Sequence, residues 1–501
     1  MAYTNSPEKS TYKTVPLEFT SASWSRAGLV TTRRDAEVFN MFYDRNSNEN
    51  QTRSMALVKR PGVADNSISL SKVSSSSIIN GFFQDDSTNY MYWSVDGKVF
   101  EQSVSGGSAT QIASMSGTVT TSINSVGFTS FLTDVGTRYV CFCNGTELYY
   151  SVPGSGTSTK VVDADFPTSP GKDIIFLDGY LFVFKQGTGD IYNSDLNAPG
   201  TWTPGNYITA EINPDFLVSL AKIKNYIIAF GTEGIEFFYD AANLAGSPLA
   251  RNESYYKNVT LCSNVVTVGD SVYFVGRKKN QGLQVFELDA NEIKPVSNNM
   301  VERILQTYGI SNLTNTQSTV QLFASSLNGH NFIFLNFYTD GVSFVYDLDH
   351  KFWYRWTIST NKIEAMWTVN GTTGLPRFAL SGRSNMSYFD NTLYQDYSAA
   401  FTASYTTEDY DADTFNWKMC HRVGLYCDYP TTAVSASNVA VSWSDDDGNT
   451  FSTPRNINVC SSNPYITQCG RFRSRNWRFE YSDNYPFRMW GMSMDLNVGN
   501  V

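Results

Sequence analysis

Tyr90-Met91-Tyr92-Trp93, then Asp96-Gly97, then Val99-Phe100: an apolar run, a polar turn carrying glycine, and a second run ending in an aromatic. The unit returns as Tyr139-Val140-Cys141-Phe142, Asn144-Gly145 and Leu148-Tyr149. It returns again as Tyr180 to Phe184 before Gly189-Asp190-Ile191-Tyr192, and as Tyr226 to Phe230 before Gly234-Ile235-Glu236-Phe237-Phe238. Val272 to Val275 precede Gly282 to Phe286, Phe332 to Leu335 precede Asp340 to Phe344, and Phe378 to Leu380 precede Gly382 and Met386 to Phe389. The turn glycines at 97, 145, 189, 234, 282, 341 and 382 are spaced 48, 44, 45, 48, 59 and 41 residues apart. Hairpins recurring at a period of roughly 40 to 50 residues predict a β-propeller.

A further short apolar run stands before each hairpin: Ile78-Ile79, Phe131-Leu132, Ile174 to Leu177, Leu217 to Leu220, Val265 to Val268, Val320 to Phe323 and Ala365 to Trp367. That makes at least three strands per unit, close to the four of a blade. The expectation is six to seven blades across 63–395, opened by the turn Pro61-Gly62. The long 59-residue interval holds Asn299 to Leu305, whose apolar positions 300, 301, 304 and 305 fit one face of a short inserted helix. Residues 1–62 do not follow the repeat and read as an N-terminal extension. From 396 to 501 the texture changes to strands with acidic turns, which reads as a small β-sandwich.

The bulk composition agrees with an all-β chain. Of 501 residues 15 % are aromatic, including 30 Tyr and 33 Phe, while only 17 % are charged, which excludes a disordered protein. A net charge of −10 argues against a general nucleic-acid-binding surface. No apolar run is long enough to span a membrane, and Met1 to Ser10 lacks the apolar core of a secretory signal. Seven cysteines without a C-x-x-C pair read as core residues of a chain made in a reducing cytoplasm; Cys141 and Cys143, two apart in one strand, should share a face.

Chemistry-bearing residues are sparse. His330, His350 and His421 are the only histidines, none stands near another in sequence, and no metal motif surrounds them. No catalytic, cofactor or metal site is expected. Ser444-Asp445-Asp446-Asp447-Gly448-Asn449-Thr450-Phe451 fits the Asp-box turn of sialidase propellers, with Phe at the Trp position, and reads as a hairpin-turn device. Glu408, Asp409, Asp411 and Asp413 form an acidic cluster that lacks the glycine and distal glutamate of a calcium loop. Arg471, Arg473, Arg475 and Arg478 surround Trp477 and Phe479. As one strand, positions 471, 473 and 475 would share a face, either gripping an acidic partner or guarding an exposed edge.

Phe230-Gly231-Thr232-Glu233-Gly234-Ile235-Glu236-Phe237-Phe238-Tyr239-Asp240 is followed by Asn258-Val259-Thr260. This stretch, with the order of the features above, resembles the tail nozzle (tail hub) family of short-tailed bacteriophages, which includes the P22-type packaged-DNA stabilisation protein. To that stretch are added Asn40-Met41-Phe42-Tyr43, where Phe42 stands at the family's Tyr position, and Lys59-Arg60-Pro61-Gly62. The resemblance implies a non-enzymatic virion protein: a homo-hexameric ring below the portal and its adaptor, through which double-stranded DNA leaves, and to which tail fibres or tailspikes attach. The chain would be made in the host bacterial cytoplasm and end in the virion tail. Arg33, Arg34, Phe42, Tyr43, Arg471, Arg473 and Arg475 are the expected partner contacts, and the Ser/Gly-rich stretches 71–77, 105–116 and 153–159 are expected as flexible loops. Two other classes remain open on the sequence: a tail-associated propeller glycosidase or depolymerase, which needs two facing carboxylates, and a monomeric propeller adaptor.

Overall fold

The computed structural model of the chain describes residues 13–17, 37–45, 55–85, 87–116, 125–213, 215–243, 245–289, 292–307, 320–358, 362–368, 376–429 and 436–499. They fall into two compact units, 63–353 with 357–390, and 1–62 with 354–356 and 391–501.

The first unit is a β-propeller of seven blades. The first blade runs through Ile79–Gln84, Tyr90–Val95, Lys98–Ser103 and Thr110–Ser114 in meander order. Blades two to four repeat that order over Gly127–Lys160, Pro170–Thr209 and Leu217–Lys257. In the fifth, two short pieces, Val259–Leu261 and Val266–Val268, both pair with Ser271–Lys278, and Leu283–Leu288 and Ile293–Pro295 follow. The sixth begins at Val320–Leu327, after the helix Asn299–Thr307 that buries Val301 and Leu305. All seven turn glycines fall between the second and third strands of their blades. The fourth strands escaped the sequence reading because several are short, polar and half-exposed, as at Thr159–Lys160 and Ile293–Pro295.

The seventh blade is assembled from both ends of the propeller sequence. Ile363–Thr368, Pro376–Leu380 and Asn385–Asp390 supply three strands, and Gly62–Ser69 supplies the fourth. The turn at Pro61-Gly62 therefore begins the last blade and not the first. Asp65 receives bonds from Arg383 at 3.0 Å and Ser387 at 3.1 Å, which fix that strand's register. Innermost strands lie against one another around the ring, and the circle closes where Ile363–Thr368 meets Ile79–Gln84. At this closure Lys72 and Glu364, both about 1 % exposed, pair at 2.7 Å. The same Glu364 oxygen accepts the backbone N–H of Ile79 at 3.0 Å, and Lys72 also donates to the carbonyl of Leu380 at 2.8 Å.

The apolar cores lie between blades. Ala221, Ile223, Ile228, Phe230, Ile235 and Phe237 of the fourth blade pack on Val272, Phe274, Phe286 and Leu288 of the fifth, with Phe230 and Phe274 edge-to-face at 5.3 Å. Cys141 and Cys143 do share a face, in the cluster between the second and third blades. Burial raises the Cys141 thiol pKa and pushes that of Cys143 up to about 12, so both behave as small apolar groups.

The second unit combines both flanks of the propeller sequence. Met41–Arg45 pairs with Met55–Lys59, which pairs with Arg488–Val498; Lys13–Leu17 also pairs with that last strand. Lys418–Cys427 and Tyr465–Phe472 complete this sheet. Glu37–Phe39 pairs with Ala403–Thr406, and Asn476–Tyr481, Asn438–Ser444 and Arg455–Asn458 continue from there. The N-terminal segment is thus woven into the terminal β-structure rather than appended to it.

Two outcomes test these contacts. Breaking a buried ion pair by removing one partner costs about 3–5 kcal/mol; Glu364→Ala should lower propeller stability by that order in urea melts, whereas a surface change such as Glu292→Ala should be near neutral. Glu147 ties the first two blades, accepting from the Ser116 hydroxyl at 2.6 Å, the Ser116 N–H at 2.9 Å and Lys160. Burial pulls its pKa upward, but the hydrogen bonds from Lys160 and Ser116 outweigh it and hold the carboxyl at about 2. That value is below the unfolded one of about 4.3. Its contribution is therefore present above the unfolded pKa and lost as pH falls towards the folded one. Glu147→Gln should cost about 2 kcal/mol at pH 7, and the difference from wild type should vanish near the folded pKa.

Candidate functional site

In the terminal unit, the motif residues form a buried polar knot. Asn40 takes a left-handed backbone (φ 53°), receives the Arg60 N–H at its carbonyl at 3.1 Å, and accepts from Arg60 Nε at its side-chain oxygen, also at 3.1 Å. The Arg60 guanidinium then grips Asp396 in a fork, at 2.9 and 2.7 Å, and lies 3.9 Å over the Phe401 ring. Lys59 donates to the carbonyls of Tyr394 at 3.0 Å and Asp483 at 2.8 Å. Burial, reinforced by neighbouring Arg60, lowers the Lys59 pKa to about 8. Gly62 follows because any Cβ there would strike the Gln395 carbonyl.

Beside this knot, Phe42 and Tyr43 are buried within their own chain. Phe42 packs on Trp356, whose indole donates to the Met41 carbonyl at 2.9 Å, and the Tyr43 N–H donates to the Tyr354 hydroxyl at 3.1 Å. As core residues they are not available to a partner, which corrects the expectation from sequence. Arg33 and Arg34 lie outside the described residues.

The arginine cluster divides. A turn at 473–474 separates Tyr465–Phe472 from Asn476–Tyr481, so positions 471, 473 and 475 do not share a strand face. Arg475 is 1 % exposed and forks onto Asp445 at 2.6 and 2.8 Å, with a further bond to the Cys469 carbonyl. It is a structural clamp on the Asp-box-like turn, not a partner contact. In that turn Asp446 accepts from the Thr450 N–H at 2.8 Å and the Thr450 hydroxyl at 2.6 Å, Ser444 accepts from the Gly448 N–H at 2.9 Å, and Gly448 has φ 78°. The bonds from Thr450 hold the Asp446 pKa down at about 2. Phe451, at the Trp position of the box, carries the Arg478 guanidinium 3.5 Å over its ring.

Arg471 and Arg473 are exposed and flank Trp417, their guanidinium carbons 4.7 and 4.9 Å from its ring centre. Phe415, two residues before Trp417, is 90 % exposed, and Met419 is exposed too. Of the contacts expected from sequence, Arg471 and Arg473 are the two that the fold leaves exposed among the described residues.

In the propeller, innermost strands of blades two to five line a cavity of about 460 Å³, with Asp173, Lys222 and Lys224 among apolar neighbours. Lys222 is anchored to the Phe176 carbonyl at 2.9 Å, and burial lowers its pKa against the opposing pull of Asp178. The Gly231-to-Glu236 turn serves the fold: Asp215 accepts the N–H groups of Glu233 at 2.7 Å and Gly234 at 3.1 Å, and Glu236 accepts that of Ile212 at 2.9 Å and pairs with Arg251 at 3.0 Å. Burial raises both carboxyls, yet one oxygen of each, Oδ2 of Asp215 and Oε1 of Glu236, is occupied as a backbone anchor. The 153–159 loop is tied down as well, Gly154 and Gly156 donating to Glu101 at 2.9 and 3.3 Å.

Folding also brings together what sequence separation hid. His330 and His350 both reach Asp347, so two of the three histidines are neighbours after all. Among the described residues this is the one close group of three His, Cys, Asp or Glu donors; the acidic cluster at 408–413 does not converge in that way. The Asp347-x-x-His350 spacing was the only signal in the sequence.

The family model described as Phage_stabilise, bacteriophage P22 Gp10, β-propeller, matches residues 40–375. Among solved structures, the Neurospora crassa Pan2 WD40 domain is 12 % identical, with 68 % of this chain and 97 % of that one covered at a TM-score of 0.41. The β-propeller domain of Cps50 (Swd1) from Myceliophteria thermophila is 10 % identical, with 62 % and 96 % covered and a TM-score of 0.41. No curated protein sequence matches significantly.

The two kinds of arginine should separate on substitution. Arg475→Ala leaves the Cys469 carbonyl without its donor and frees Asp445, which at 44 % exposure water can reach, and should cost about 1–3 kcal/mol, read as an earlier melting step of the terminal unit. Arg473→Ala should move stability by less than about 1 kcal/mol.

Proposed function

This chain belongs to the bacteriophage P22 Gp10 β-propeller family, and from that premise we propose that it forms the tail nozzle ring of a short-tailed phage. The single observation that carries the reading is the family match over residues 40–375, which spans the N-terminal motif and most of the propeller. The family is one of phage structural proteins, which supports reading the chain as a virion component with an architectural role.

In this reading six copies close head to tail below the portal and adaptor, and the genome leaves through the space they enclose. Charge supports it. Six chains at −10 each carry about −60, and an acidic lining repels phosphates and prevents the duplex from sticking as it passes. The patch of Trp417, Phe415, Arg471 and Arg473 pairs basic groups with exposed aromatics, a composition suited to protein contact. It would meet a neighbouring copy, the adaptor, or a fibre or spike.

Light scattering on the purified particle tests the assembly. Six copies of a 56.0 kDa chain give about 336 kDa, whereas a stable monomer in every condition would overturn the ring. Arg471→Glu with Arg473→Glu should impair assembly or virion incorporation at least tenfold while the isolated chain melts within a few degrees of wild type. Normal incorporation would remove the patch from the contact surface.

A further inference from the structure

His330 opens the second strand of the sixth blade, Asp347 closes the third, and His350 lies in the turn that follows. Pairing of Phe332 with Asp347 across the hairpin sets the carboxylate beside the strand that carries His330. Nδ1 of His330 lies 3.2 Å, and Nδ1 of His350 3.1 Å, from one and the same oxygen, Oδ2 of Asp347. The other oxygen, Oδ1, accepts the backbone N–H groups of Asp349 at 2.9 Å and His350 at 3.1 Å, so the carboxylate is oriented independently of the imidazoles. The His330 ring stacks on Phe332 with a 10° interplanar angle, which fixes its plane. The three side chains are 7, 0 and 15 % exposed.

We propose that His330, Asp347 and His350 form a binding site for a divalent transition metal of the zinc class. The chemistry of the donors selects it. Two imidazole nitrogens and one carboxylate oxygen suit zinc, cobalt and nickel, whereas calcium and magnesium prefer oxygen throughout. Geometry is close to what such an ion requires. Donors about 2.1 Å from a tetrahedral ion sit about 3.4 Å apart, and both nitrogen–Oδ2 distances are within a few tenths of an ångström of that spacing. The three donor atoms already lie within 4.8 Å of one another. Anchoring of Oδ1 by two N–H groups is the outer-shell support that ligating carboxylates have. Composition adds weight: a chain of 501 residues with only three histidines places two of them on one carboxylate. Three protein donors leave a fourth position on the His350 side, the most exposed of the three, for water. The ion would staple the 348–352 turn to the second strand of the blade.

The test uses the full chain, stripped with a chelator and titrated with Co²⁺ and, in competition with a chromophoric chelator, with Zn²⁺. The expected result is one equivalent per chain at micromolar affinity or tighter, visible d–d bands without the sulfur-to-cobalt charge transfer that cysteine ligation would give, and a rise of several degrees in melting temperature. Affinity should fall in acid, because both rings must be free of their protons to bind the ion. His350→Gln, in a turn and half-buried, should keep the fold and weaken binding at least 100-fold, as should Asp347→Asn; His421→Gln should leave it unchanged. Absence of saturable binding by the folded wild-type chain would overturn the site and leave a hydrogen-bonded clamp. Equal binding by His350→Gln, or thiolate bands, would overturn it as well.

Discussion

A fully desolvated ion pair holds the terminal unit together. Arg60 and Asp396 are 336 residues apart in sequence, yet the guanidinium forks onto the carboxylate with neither side chain exposed beyond 1 %. Removing two charges from water is expensive, and Coulomb attraction compensates only when every remaining donor is satisfied. Here Nε goes to Asn40, NH1 also to the Pro61 carbonyl, and the flat face to Phe401. Such an arrangement tolerates few alternatives in register or partner. It fixes which stretch before the propeller sequence meets which stretch after it, and the pairing of Met41–Arg45, Met55–Lys59 and Arg488–Val498 is consistent with that choice.

The propeller solves a related problem by other means. Its cores lie between successive blades, so each blade depends on two neighbours, and a ring must be closed for the first and last to be satisfied. Closure uses a strand exchanged across the ends of the sequence and the buried Lys72–Glu364 pair. Both units therefore place charged groups where sequence distance is greatest. The groups that looked most like interaction residues, Phe42, Tyr43 and Arg475, turn out to be parts of these internal joints.

Much of the fold was legible because a blade is a local object. Hairpin turns repeat with glycine at a fixed place, and apolar runs announce the inner three strands; the helix at Asn299–Thr307 shows its face at a spacing of three and four residues. What was not legible is what topology alone decides. Gly62–Ser69 reads as the start of the repeats because nothing local says that its partner lies at Asn385–Asp390. Arg475 reads as part of a basic strand face because the turn at 473–474 lacks glycine and proline. His330 and His350 appear solitary until a hairpin register puts Asp347 between them. Burial, too, is invisible in an isolated Arg or Tyr, since those side chains serve equally at surfaces and in paired interiors.

The exchanged strand also has a consequence in time. Residues 62–69 leave the ribosome among the first of the propeller, but the strand they pair with is complete only about 320 residues later. At about 5–20 residues per second that is a wait of roughly 16 to 64 s. Throughout it, six blades can form in order while the chain keeps one strand in hand. Gly-Val-Ala-Asp-Asn-Ser-Ile-Ser suits such a wait: its alternation is weak, Asp65 interrupts it, and four of its eight residues are polar or charged side chains with little tendency to seize a stranger's edge. A more apolar closing strand would bind better at the end and would be a greater hazard in the meantime.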